Sequence, residues 1–230
     1  MVAALVMSTT SWNLMTHSDA VYFPLVIPSV GIVASFVTLQ FVHIPIERIE
    51  VRFRLQLIIA TLIQSGLCVP ILWMLPSELE MEFMGHHYEA KYGRVFGCIM
   101  LGLWSGLVIG LQTEILTSSW LVKRVLARAC LFDAATNIIQ GLALGYWTAV
   151  LPLICIAVTV CCCLYWAGVY GIALAALGML GCLPVYLTID FYGPIINNAK
   201  SLVQISKSTS SAPEIINILN DAGVTFSAVG

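Results

Sequence analysis

Asp190 closes an uncharged apolar run that opens at Gly168, and Asn197, Asn198 and Lys200 follow within about three helical turns. A carboxylate with amides and an ammonium close behind can hold a metal ion or a phosphate at a membrane surface. The same residues also fit a helix end at the water boundary. Glu114 lies near the end of another apolar run, where an acidic group marks an ion path or reaches out to water. Asn137 stands three residues before Gln140 on a shared face, which suits an ion path or polar packing between helices. His86 and His87 invite a metal reading, but adjacent histidines on a helix point different ways, so they read as part of a solvated loop.

The elements that must position these residues are membrane helices. Of the 230 residues, 60% are hydrophobic and 10% charged, and the mean hydropathy is +0.95. A soluble domain carries about 25% charged residues, so this chain cannot cover itself with a polar surface. It reads as an all-α, polytopic transmembrane helix bundle of five or six spans, forming one transmembrane domain over residues 1–230. The spans fall near residues 21–42, 55–75, 95–116, 136–167 and 168–190, with a further helix starting near 214–230. Met1 to Met7 reads as the tail of an earlier span.

Within the spans, Gly97, Gly102, Gly106 and Gly110 suit close helix packing, and Gln64 suits an interhelical hydrogen bond. The eight cysteines form no CxxC pair and read as small buried hydrophobes. Pro76–Arg94 reads as a solvated connection rich in glutamate. His43–Arg54 and Thr117–Asp133 each carry three basic residues, against two in Pro76–Arg94, so the positive-inside rule puts the first two, and with them Asp190, on the cytoplasmic side. No basic patch suits nucleic acid.

Two blocks carry a family resemblance. Tyr170, Gly171, Ala173 and Ala175 to Leu180, followed by Ile189, Asp190, Tyr192 to Ile195, Asn198 and Ala199, resemble the YG-A-AALGML and IDAYGPI-DNA signatures of the vacuolar-type membrane-bound pyrophosphatases. Ala134 to Tyr146 (AATNIIQGLALGY) is similar to a second signature of the family, and Gly106 to Ser118 stands where the family reads close to GTVIG--TEYYTS. The resemblance covers nearly the whole chain, more faintly before Trp104.

The resemblance implies a homodimeric pump that couples magnesium-dependent pyrophosphate hydrolysis to proton transport, in some members sodium transport. It implies a bilayer-embedded location on a vacuolar or other endomembrane. Asp190 then becomes a catalytic, magnesium-holding residue, with Asn197, Asn198 and Lys200 on the substrate side. The chain departs from the pattern in several places. Asn197 replaces an aspartate, Val224 an asparagine and Phe226 a threonine, and the family's dense acidic and lysine motifs are missing. The chain therefore reads as the middle portion of such a pump, or as an eroded, non-hydrolysing relative that packs with an intact one. Ser227 aligns with the position that separates potassium-dependent members, and serine leaves that dependence open.

Overall fold

The computed structural model describes residues 1–9, 21–41, 49–75, 78–83, 86–117, 133–206 and 215–220, with the single residues 127, 131 and 223. Helix α1 is Val2–Ser8, α2 Phe23–Phe41 and α3 Ile49–Ile71, the last followed by a 3-10 turn, Leu72–Met74. Strands β1 (Glu78–Phe83) and β2 (His86–Lys91) come next. Then follow α4 (Tyr92–Thr117), α5 (Ala134–Met179), a second 3-10 turn (Leu180–Cys182) and α6 (Leu183–Ser206). Residues 215–220 form a short further helix.

Four helical stretches are long and apolar enough to cross a membrane: Phe23–Gln40, Val51–Ile71, Tyr92–Leu116 and Ala134–Ser206. The last holds 73 residues, which as one rod would reach about 110 Å, over three times the hydrocarbon thickness. It is not one rod. At Ala167 (φ −144°, ψ 21°) and Gly168 (φ 60°, ψ −151°) the helix breaks. Gly168 is the residue that permits this, because a positive φ there would crowd any Cβ. A methyl placed on Gly171 would lie 2.9 Å from the Cys163 carbonyl oxygen. Eight residues along a straight helix rise about 12 Å, so the chain doubles back. The stretch thus supplies two spans, so the described residues of the polytopic helical bundle hold five.

The Pro76–Arg94 connection differs from the expected loop. β1 and β2 form an antiparallel hairpin that pairs Glu78 with Lys91 and Phe83 with His86. The sequence Glu-Leu-Glu-Met-Glu-Phe alternates polar and apolar with period two, the pattern of a strand. The histidine pair therefore sits at the start of a strand, not on a helix. The end of the fifth span also differs. Hydropathy falls at Asp190, yet α6 continues as helix to Ser206, with Pro194 inside it.

The described residues divide into two compact units. The first comprises Met1–Phe41, Leu57–Val108 and Ile154–Pro184, the second Val42–Gln56, Ile109–Leu153 and Val185–Gly230. The core of the first is built on Phe23, Ile27, Val95, Cys98, Ile99, Cys163, Tyr170 and Leu174. Here the glycines of α4 do what their spacing predicts. Gly102 lies against the Ala175 carbonyl so closely that a Cβ would collide with backbone, and Gly106 rests on Met179. Gln64 accepts a hydrogen bond from the Cys182 thiol at 3.4 Å, which bears out its interhelical role. Cys68, Cys98, Cys163 and Cys182 are buried and free, whereas Cys161 is exposed. Cys130 lies outside the described residues.

Candidate functional site

Asp190, Asn197, Asn198, Lys200, Glu114 and Asn137 all belong to the second unit. Asp190 is half-buried on α6, and its carboxylate has no hydrogen bond or ion pair among the described residues. Asn197, seven positions on, shares its face of the helix, about 10 Å further along the axis. Asn197 and Asn198 are exposed and Lys200 half-buried. Because α6 runs unbroken through this stretch, these side chains form a ladder along one helix rather than a loop closing over Asp190. Pro194 lacks the N–H that would have met the Asp190 carbonyl, and the helix tolerates this single lost bond.

Contacts with α3 and with residues 219 and 223 hold α6 in this region. Tyr192 meets Phe53 of α3 edge to face, with ring centroids 5.7 Å apart and planes at 67°. Its hydroxyl lies 3.5 Å from the Leu219 carbonyl, and Gly223 stacks on Gly193. The turn that supplies Phe53 also supplies Arg54. Arg54 Nε donates to Glu114 Oε1 and Oε2 at 3.2 and 3.3 Å, and its Nη2 donates to Oε1 at 3.0 Å. Glu114 is only 7% exposed. A carboxylate gripped by a fork of donors is held in place. Glu114 is thus engaged in an ion pair between two helices rather than reaching out to water.

Arg54 was not singled out in the sequence, although a signal existed. It sits at the start of one span and Glu114 near the end of the next, so an antiparallel pair of helices brings them to one level. Asn137 is half-buried on α5, and its Oδ1 is buried with no hydrogen-bond partner among the described residues. It is not joined to Asp190 by any described contact. Nor do the described residues contain a group of three or more His, Cys, Asp or Glu side chains able to hold a metal ion.

The family described as inorganic H+ pyrophosphatase matches residues 1–230. The chain belongs to that family. It is 29% identical over 238 residues to a putative K(+)-stimulated pyrophosphate-energized sodium pump of Clostridium tetani, covering 100% of this chain and 33% of the relative. It is 27% identical to K(+)-insensitive pyrophosphate-energized proton pump 2 of Moorella thermoacetica, over 91% of this chain and 31% of that protein. It is 33% identical to pyrophosphate-energized membrane proton pump 3 of Arabidopsis thaliana, over 46% of this chain and 15% of that one. This pyrophosphatase-family chain thus spans about a third, or less, of the length of these relatives.

A magnesium ion is usually held by one or two carboxylates together with substrate phosphates and water. Here the described residues offer the Asp190 carboxylate and, two turns away, a neutral amide. That set does not by itself fit a site for magnesium pyrophosphate, whose several charges need more carboxylates and lysines than α6 carries.

Proposed function

We propose that this chain forms the middle portion of a pyrophosphate-energised proton pump, in which Asp190 helps to hold magnesium pyrophosphate at the cytoplasmic membrane surface. One observation carries the reading. The family signature around Asp190 lies on a helix that continues past the apolar span to Ser206, with the carboxylate half-buried and without a partner among the described residues, two positions before a held tyrosine. A carboxylate with no partner among the described residues can take a cation there, whereas Glu114 is engaged by Arg54. Asn197, Asn198 and Lys200 continue the polar face toward the aqueous side and suit the anionic substrate. The remaining carboxylates and lysines would come from further segments of a pump. A homodimer, a vacuolar or other endomembrane location, and protons rather than sodium ions belong to this same proposal.

A second reading has its own support. Asn197 stands where the family signature has an aspartate, and Val224, outside the described residues, offers no ligand. A chain so altered serves as a non-hydrolysing partner that packs with an intact pump. Reconstitution of the purified chain in vesicles with magnesium and pyrophosphate separates the two. Turnover above a protein-free control that disappears in Asp190→Asn supports catalysis by this chain. Absence of turnover, together with co-purification of an intact pump, supports the partner role.

A further inference from the structure

Aromatic side chains mark the ends of the apolar helices in the first unit. Tyr22 immediately precedes α2, Trp73 lies in the turn that ends α3, Tyr92 opens α4, and Tyr165 stands two residues before the break in α5. Helix α2 begins where α3 ends, and α4 begins where the first arm of α5 ends. The alternation of spans therefore brings all four rings to one face of the membrane. They are 59%, 90%, 51% and 85% exposed, respectively.

Scattered surface aromatics need no explanation, but these sit at helix ends. Among the described residues only Trp104 is an exposed tryptophan or tyrosine midway along α2, α3 or α4. A ring with one polar atom is misplaced both in bulk water and among acyl chains, and is best accommodated where the two meet. The first arm of α5 gives an independent measure. Tyr146 and Trp147 are exposed as well, and lie about 19 residues before Tyr165 and Trp166. That is about 28 Å of helix, close to the hydrocarbon thickness of a bilayer.

We infer that Tyr22, Trp73, Tyr92 and Tyr165 form an aromatic girdle seated in the headgroup layer of a phospholipid bilayer, while Tyr146 and Trp147 mark the opposite layer. The girdle depends on membrane insertion and not on any reaction with pyrophosphate.

The test is depth-resolved quenching of tryptophan fluorescence in the full chain, reconstituted in phosphatidylcholine vesicles. The Trp73 signal is the difference between the unaltered chain and Trp73→Phe. It is lost when the lipids carry bromine close to the headgroup, and retained when bromine sits near the chain ends. A second variant, Tyr92→Trp placed in the Trp73→Phe background, reports the same depth from another helix and serves if the first difference is small. Strong quenching by aqueous acrylamide with none from either lipid overturns the inference, as does stronger quenching by the deep bromines.

Discussion

The Gln112 side chain of α4 donates from Nε2 to the Thr148 carbonyl of α5 at 3.2 Å, and Thr148 is the residue whose carbonyl Pro152 cannot serve. A proline inside a helix removes the N–H that would bond four residues back. In a bilayer no water replaces it, so a neighbouring side chain must. Gln112 supplies the missing donor from another helix.

Replacing Gln112 with leucine leaves that carbonyl unserved and is expected to cost about 1–3 kcal/mol, the range for a buried polar group losing its partner. Pro152→Ala restores the backbone donor, so Gln112→Leu costs less in that background. Thermal unfolding in detergent of the four proteins in the cycle measures the difference. Equal costs in both backgrounds would show that Gln112 acts by packing alone.

Arg54→Met takes from the buried Glu114 carboxylate the hydrogen bonds and the positive charge of this guanidinium. Breaking a fully buried pair costs about 3–5 kcal/mol. The Arg54 side chain here is 35% exposed, and water screening brings the expectation to about 2–3 kcal/mol. Glu114→Gln should cost less, because it removes the stranded charge and keeps an acceptor. The exchange Arg54→Glu with Glu114→Arg should recover part of the loss. If Glu114→Gln proves as damaging as Arg54→Met, the stranded-charge account fails.

The sequence and the structure agree where the signal is long and one-dimensional. Runs of apolar residues announce spans whatever packs against them, and the boundary between the fourth and fifth falls at Gly168, where the backbone turns. Two features were readable but passed over, namely the period-two pattern in Glu78–Phe83 and the shared level of Arg54 and Glu114. The course of α6 was hidden for a physical reason. Hydropathy reports the solvent around a helix and not whether it continues, so the change at Asp190 looks like an end although the backbone bonds run on to Ser206. For the candidate site, motif residues single out Asp190, but that its carboxylate has no partner among the described residues, and that it shares a helix face with Asn197, follow only from the fold.

Topology gives a direct check. Cysteines placed at Lys91 and at Ser201, both exposed, are expected to react with a membrane-impermeant maleimide from opposite sides of sealed vesicles. Cys130 should be replaced by serine in both, since it falls in a connecting segment of the sequence. An odd number of spans, three, separates the two positions: α4 and the two arms that meet at Gly168. Labelling from the same side would mean that the break at Gly168 does not return the chain across the membrane.

Asn197→Asp is expected to strengthen divalent-cation binding near Asp190 by a modest amount that can be calculated. The two positions share a face of α6 and stand about 10 Å apart along its axis. One ion cannot be ligated by both, so the added carboxylate acts through its field. At 10 Å a unit charge and a divalent ion attract by about 0.8 kcal/mol in water-like surroundings, or about fourfold in affinity, and by more where water is excluded. Manganese titration followed by electron paramagnetic resonance reads that shift on the purified chain without requiring turnover. In an Asp190→Asn background the gain should vanish, because the ion would have lost its direct ligand. A fourfold gain that persists without Asp190 would place the bound ion elsewhere on the chain and withdraw the role assigned to that carboxylate.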